Sequence, residues 1–580
     1  MNQNIKIKLY FAFIGIFIAG GSFFSSAVFA ATLGESKNFS IDSSYDVSGR
    51  EEISATLQRI SNQLYLYIDD AWWQQLSSGD KNKVDTALLS LADEFERKMY
   101  PTLTATFGSE WKPGIDNDER ITVLIHPMKK NRGGYFRTGD EYPKLAVPTS
   151  NEREMVYLNT DSLDSPLLKS FLAHEFVHLI TFNQKERIRG IEEDIWLNEA
   201  RAEYAPTLLG YDAEYPGSNL QQRVSQFSKD PSNSLTDWSN FPADYGVANL
   251  FIHYVIDHYG VKILTDSLQS SRKGIDSINS ALTKNGFQEN FSQVFTNWTI
   301  AVLVNDCSLA PLDSKHLTGG GSKYCYKNNN LKNLKIVPAT NFLPFNFQSF
   351  LSVNYITKSW TGNWQRIIGG GGTLTLDFNG GPTGNIKVPY IVCEVSGSCS
   401  VNFLALDNNQ IGEIKIQDFN TKYTSLTIIP SAQENSNSNY YFVWEVRMTP
   451  QSQDETALLQ QLLSQIESLK AQIAQIKAQI NARLGLGNTS VSCEAITTNL
   501  YIGMKNNSEV SCLQTFLKNQ GPDIYPEGLV TGNFLSLTKV AVIRFQEKYS
   551  PEILKPLGLE RGTGYVGPAT RTKINQILGF

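Results

Sequence analysis

The spacing of apolar positions changes several times along the chain, and each change marks a different kind of element. Helical spacing of three and four runs through Glu51 to Gln75 and Lys83 to Met99, predicting helices there. The runs RITVLIH (120–126) and EMVYLN (154–159) are short, apolar and rich in β-branched residues, as strands are. From Ser165 to Asn305 the pattern is mostly helical, so a sheet-containing lobe followed by a helical lobe is expected over residues 31–335. Between 336 and 449 the texture becomes β-rich, with runs starting at Thr373, Ile386, Ser400, Ile411, Ser425 and Tyr440. Turn-forming stretches such as GGGG, NGGPTGN and DNNQ separate several of these runs, which predicts an antiparallel β-sandwich. Nothing in it marks a binding face, so it reads as a spacer in preference to a carbohydrate-binding module.

Residues 450–485 are rich in Gln, Ala, Leu and Ile. Leu459, Leu462, Ile466, Leu469, Ile473, Ile476 and Ile480 alternate steps of three and four, the seam of a coiled coil that could associate with a second copy. The segment 486–580 holds two similar helical phrases, EVSCLQTFL from Glu509 and TKVAVIRFQ from Thr538. A third phrase, GYVGPATRTKINQIL, has Pro568 near a helix start. At the other end, Lys6 and Lys8 precede an apolar stretch from Leu9 to about Phe24 and then Val28-Phe29-Ala30. That order of charge, apolar run and small residue describes an export signal over residues 1–30, cut after Ala30 or kept as an anchor.

Composition narrows the function classes. The chain has 580 residues with 41% hydrophobic and 19% charged, enough apolar mass for several folded cores. With 51 Lys and Arg against 57 Asp and Glu, there is no broad basic surface for nucleic acid. The six cysteines fall as local couples, Cys307 with Cys325, Cys393 with Cys399 and Cys493 with Cys512. In an exported chain these favour disulfides over metal ligation, although sequence alone does not fix the connectivity.

The candidate chemistry centres on HEFVH. Two of only six histidines, His174 and His178, flank Glu175 within the helical phrase LLKSFLAHEFVHLITF. Residues four apart share one helix face, so both imidazoles can converge on one metal ion, while Glu175 can hold a water beside it and accept its proton. About twenty residues on, IWLNEARAEYA supplies Glu199 and, one turn later, Glu203. The phrase PADYGVANLFIHYVIDHYG places Tyr245 before an apolar helix, with His253 and His258 read as structural. Asp116, Asp118 and Glu119 read as an acidic turn in preference to a calcium loop, because they lack a full set of spaced oxygen ligands. The glycine-rich GGYFRTGDEYP (133–143) reads as a loop near the cleft.

HExxH followed by WLNE resembles the gluzincin zinc metallopeptidases, closest to the hyicolysin-like branch, over about residues 45–310. The resemblance implies a multidomain α+β protein with a thermolysin-like catalytic domain. It also implies Zn2+ held by His174, His178 and Glu199, Glu203 accepting a hydrogen bond from His174, and catalysis by Glu175 with Tyr245 donating to the oxyanion. In that family the strand before the zinc helix borders the cleft and pairs with extended substrate, which points to residues 154–159. The pattern EV..LQ..L, T..AV..FQ, G.VG..TR..L resembles the small three-helix peptidoglycan-binding domain, with Phe534-Leu535 where that family has Phe-Gly. This implies attachment to a cell-wall polymer. The expected activity is cleavage of protein or peptide at the cell surface or outside the cell. The rival expectations are a hydrolase of peptidoglycan stem peptides and a non-catalytic adhesin that keeps the zinc-helix fold.

Overall fold

The computed structural model describes residues 31–309, 323–344, 350–436, 438–449, 460–473 and 493–580. The expected export signal, residues 1–30, and much of the expected coiled coil lie outside the described residues. The chain is mixed α+β with several sheets, and it divides into two compact units, Met1–Ser452 and Gln453–Phe580.

The first unit begins with a six-stranded sheet in the order β1-β2-β3-β4-β6-β5. Its strands are β1 (Ser36–Ser40), β2 (Glu52–Ile60), β3 (Leu64–Asp69), β4 (Ile121–His126), β5 (Gly134–Phe136) and β6 (Met155–Asn159). The neighbours β3, β4 and β6 run parallel, and every residue in them is buried, as a parallel sheet covered on both faces requires. One face packs Val123, Ile125, Val156 and Leu158 against helices; the other is an aromatic layer of Phe39, Tyr65, Tyr67, Tyr135 and Tyr157. The helix expected over 51–75 is corrected: β2 and β3 occupy 52–69, and only α1 (Asp70–Gln75) is helical. Ile53, Leu57, Ile60 and Leu64 have helical spacing, but Ile53, Ala55 and Leu57 also alternate, and pairing with β1 and β3 selects the period of two.

Helices α2 (Ser78–Glu94) and α3 (Tyr100–Phe107) precede β4 and are joined by one π-helical turn. After β6 the chain is helical: α4 (Leu168–Thr181), α5 (Ile195–Leu208), α6 (Asn219–Lys229), α7 (Pro242–Tyr259), α8 (Lys262–Leu268), α9 (Gly274–Lys284) and α10 (Phe291–Val304). Helix α4 lies against β5, β6 and α5, and α5 packs on α7.

The β-rich part contains β7 (Ala339–Leu343), β8 (Phe350–Lys358), β9 (Gln365–Gly369), β10 (Gly372–Asn379), β11 (Ile386–Lys387), β12 (Pro389–Glu394), β13 (Cys399–Phe403), β14 (Ile411–Phe419), β15 (Tyr423–Ile428), β16 (Ser431–Ala432) and β17 (Asn439–Thr449). One set runs β8-β17-β10-β14 and the other β13-β12-β15-β9-β7; among the described residues the pair Phe419 and Tyr423 links them. Residues of both sets, among them Leu376, Trp444, Ile367 and Leu426, share one core. Trp360 and Trp364 instead join the core of the helical lobe, where Trp364 Nε1 donates to Thr299 O at 2.9 Å. All three expected local cysteine pairs are disulfides, Cys307–Cys325, Cys393–Cys399 and Cys493–Cys512.

In the second unit, α11 spans 460–473, with Leu462, Ile466, Leu469 and Ile473 exposed along it; Leu459, Ile476 and Ile480 lie outside the described residues. Helices α12 (Ser508–Asn519), α13 (Ser536–Lys548), the short α14 (Ser550–Ile553) and α15 (Pro568–Leu578) enclose a core with Leu513, Phe516, Phe545 and Ile574. The two similar phrases have a structural counterpart. Buried Gln514 donates to Asn533 O and Thr538 Oγ1 and accepts from Gly532 N. Gln546 donates to Tyr565 O and Thr570 Oγ1 and accepts from Gly564 N. Each amide thus closes a loop onto the following helix, satisfying backbone groups that the small core would otherwise strand. No described helix is long and apolar enough to cross a membrane.

Candidate metal centre

Helix α4 is apolar nearly all round and sits between the sheet and α5, so its polar residues face a crowded interior. His174 and His178, one turn apart, bring their Nε2 atoms to 3.1 Å from each other. Helix α5 crosses in front of them. Its Glu199 Oε2 lies 3.2 Å from His174 Nε2 and 3.7 Å from His178 Nε2. Glu203, fully buried one turn further, places Oε1 3.3 Å from His174 Nδ1. The other imidazole is held by Asn198, whose Oδ1 is 3.0 Å from His178 Nδ1.

These contacts fix the protons. A carboxylate and an amide oxygen only accept, so both Nδ1 atoms carry hydrogen, and in the neutral imidazoles that metal ligation requires both Nε2 atoms present lone pairs. Two lone pairs and the buried Glu199 Oε2 then converge on one region. His174, His178 and Glu199 form a group that could hold a metal ion. The acids also gather negative charge around the two imidazoles. Burial acts to lower the His174 pKa, but Glu199 and Glu203 outweigh it and raise it well above the ordinary value. Burial acts to raise Glu199, yet His178 and His174 hold it down at about 2.

Glu175 is buried beside this group. Burial, reinforced by the charges of Glu199 and Glu203, raises its pKa against the pull of the two histidines. Its side chain packs on Gly134 of β5: a β-carbon there would lie 3.1 Å from Glu175 Cγ and 2.6 Å from Tyr157 O. Phe136, two residues along β5, stacks on His178 with centroids 6.3 Å apart. The strand beside the site is therefore corrected. Met155–Asn159 form β6, enclosed between β4 and β5, whereas the glycine-rich segment read as a loop supplies β5, the edge strand.

Tyr245 lies in the first turn of α7. Its hydroxyl donates to Asn240 Oδ1 at 2.8 Å, and the Arg223 guanidinium sits 4.9 Å from its ring centroid. Burial raises its pKa, with Glu199 the first of the charges adding to the effect. Arg223 itself clasps Glu203 through Nε at 2.7 Å and Nη2 at 2.6 Å, and Asn219 Nδ2 donates to the same carboxylate at 3.0 Å. Arg223, Asn219 and Asn198 had no place in the sequence reading. Asn198 stands inside the WLNE phrase, while Arg223 lies in a stretch without a motif. His253 bonds Thr207 and Asn249, and His258 bonds the carbonyl of Cys325, both away from this group. Asp118 accepts from the Tyr65 hydroxyl at 2.6 Å and Glu119 is exposed, so the acidic turn does not converge as three ligands.

No family profile matches the chain. It is similar to the neutral metalloprotease ShpI of Staphylococcus hyicus, with 25% identity over 250 residues, covering 38% of this chain and 55% of that protein. The chain thus spans about half the length of the curated relative it matches. Two solved structures are also similar, each over its full length. One is PliG of Aeromonas hydrophila, a periplasmic lysozyme inhibitor, with 9% identity, 20% of this chain covered and a TM-score of 0.15. The other is the surface-associated copper-binding protein CorA of Methylomicrobium album BG8, with 8% identity, 19% covered and a TM-score of 0.13. At these scores neither bears on the fold or the function.

Proposed function

We propose that the chain is a zinc-dependent metallopeptidase of the gluzincin type that cleaves protein or peptide substrates. The observation that carries this reading is the convergence of His174 Nε2, His178 Nε2 and Glu199 Oε2 beside the buried Glu175. The similarity to a neutral metalloprotease supports it. Two imidazoles and one carboxylate are a ligand set suited to catalytic zinc, which leaves a coordination position for water. Bound there, zinc would supply Lewis acidity, polarising the scissile carbonyl and acidifying the attacking water.

The protein's own groups do the rest. Glu175, with its pKa raised by burial, takes the proton of the attacking water and returns it to the leaving amine. Glu203 and Asn198 hold the two imidazoles in the tautomer that presents Nε2. The outer edge of β5 offers backbone groups to an extended substrate, so binding rests on main-chain pairing beside Glu175. Tyr245 would donate to the oxyanion once its proton leaves the Asn240 oxygen. Residues 1–30 would direct export, and residues 486–580 would attach the enzyme to a cell-wall polymer.

The test is Glu175→Gln. The variant should bind one zinc per chain as the parent does and lose cleavage of a denatured protein by at least about a thousandfold, the combined loss of a base and an acid. Equal cleavage by both proteins, or a parent that stays metal-free after zinc reconstitution, would overturn the reading. Purified wall sacculi serve as the parallel substrate, and their exclusive cleavage would favour a stem-peptide hydrolase.

A further inference from the structure

Helix α11 is exposed on every side. Each of the described residues 460–473 is exposed, and Leu462, Leu463, Ile466, Leu469 and Ile473 are 46%, 36%, 47%, 55% and 53% open to solvent. Single exposed apolar residues are ordinary, but a continuous row of them marks a surface that meets a partner. Isolated helices of about 12–15 residues are also marginal in water, and helices in proteins owe most of their stability to burying an apolar face.

The kinds of side chain in the row say what that partner is. Steps of three and four put Ile466 and Ile473 at the a position of a seven-residue repeat and Leu462 and Leu469 at d. A β-branched residue at a with leucine at d is the combination that packs best between two parallel strands. The same steps continue in the sequence, with Ile480 again at a, and with Leu459 at a and Ile476 at d as the exceptions. The flanks agree on direction. Gln465 and Gln472 stand at g, while Lys470 and Lys477 stand at e. In a parallel pair g faces e of the partner's next repeat, so glutamine meets lysine. An antiparallel pair sets e against e and brings lysines together.

We infer that the chain pairs with a second copy of itself through α11, as a parallel two-stranded coiled coil with Leu462, Ile466, Leu469 and Ile473 in its seam. Parallel pairing sends both copies of residues 493–580 out of the same end of the coil. Attachment to a wall polymer, as proposed above, then engages two modules at once, and the second contact is intramolecular, so the pair holds more tightly than one module alone. That consequence rests on the wall-binding reading; the pairing itself does not, and neither depends on the zinc centre.

The test uses the full-length protein. Sedimentation equilibrium at micromolar concentration should give twice the mass of one chain. Ile466→Glu combined with Ile473→Glu should give the mass of one chain, with the main thermal unfolding transition unmoved. Orientation is read from Leu462→Cys. The six native cysteines are all in disulfides, so the new thiol stands alone, and it meets its copy only when the helices run parallel and in register. Oxidation should therefore yield a disulfide-linked dimer. The parent should bind purified wall sacculi about 100-fold or more tightly than the double variant; equal binding, or none by either protein, would overturn the two-module attachment alone. A parent that sediments as one chain or as three, a double variant that still pairs, or a Leu462→Cys protein that forms no linked dimer would overturn the pairing.

Discussion

Glu203 and Arg223 form a buried two-pronged ion pair, with Nη2 2.6 Å from Oε1 and Nε 2.7 Å from Oε2, and that same Oε1 faces His174 Nδ1 at 3.3 Å. The carboxylate is thereby held ionised, its pKa drawn far below the ordinary range by Arg223 and His174 against the effect of burial. Arg223→Ala leaves a buried charge without its main partner. It should cost about 3–5 kcal/mol in stability and weaken zinc binding by about 10–100-fold through the loosened imidazole. Zinc titration against a competing chelator, with thermal unfolding alongside, checks both. Unchanged zinc affinity in a folded variant would show that His174 does not depend on this support.

Asn198 gives a cleaner probe, because no second charge is involved. Its Oδ1 accepts from His178 Nδ1 at 3.0 Å. Asn198→Ala frees the imidazole to rotate or to change tautomer, and zinc affinity should fall by about 10–100-fold with little loss of fold. Asn198→Asp keeps an acceptor at the same place and should restore most of the affinity, whereas Asn198→Leu keeps the volume without an acceptor and should stay as weak as the alanine variant, which a purely steric role for the residue would not predict.

Gly134 sits where β5 passes between Tyr157 O and the Glu175 side chain. A methyl group there would meet the Tyr157 carbonyl at 2.6 Å, closer than van der Waals contact permits, so the strand must shift. Gly134→Ala should cost about 1–3 kcal/mol by overpacking and lower kcat/KM on peptide substrates as Glu175 moves. Zinc content should remain intact, because none of the three proposed ligands touches the added carbon. Parallel measurement of kcat/KM and bound zinc separates this from loss of the metal.

The chemistry was more legible in the sequence than its supports. His174, Glu175 and His178 lie about one helical turn apart at most, so their placement on one helix follows from the sequence alone, while Glu199 enters through the resemblance of WLNE to the gluzincin phrase. Arg223 comes to Glu203 from another helix, and no local pattern can announce a tertiary ion pair. The β5 segment was hidden by Gly133 and Gly134, residues that suppress a strand reading and yet are what allow close approach to Glu175. Residues 52–69 carry two apolar periods at once, and only their strand partners decide between them. In the β-rich part, β7, β8 and β9 lie outside the expected runs, while the runs at Thr373, Ile386, Ser400, Ile411, Ser425 and Tyr440 supply β10, β12, β13, β14, β15 and β17.

The N-terminal segment should loosen in acid, in two steps. Asp46 is fully buried and accepts from Ser48 N, from Arg50 N and from the Arg50 guanidinium at 2.8 Å. It also lies 3.4 Å from buried His126, and Arg50 continues to Asp69 at 2.7 Å. Burial acts to raise the Asp46 pKa, but Arg50 and the backbone donors win and bring it from 3.8 to about 2. That contribution, at most about 2 kcal/mol, is complete above the unfolded value and is lost as pH falls from there toward the folded one. Burial lowers the His126 pKa below 6.5 despite the neighbouring Asp46. Its neutral form is the one the fold accepts, so a penalty grows as pH drops below 6.5. Hydrogen-exchange protection factors for residues 42–50 should therefore be high at neutral pH, decline below 6.5 and decline again below 3.8. In Asp46→Asn the second decline should vanish while overall protection is lower at neutral pH. Protection that stays flat across the whole range would show that these buried groups do not fasten the segment to the sheet.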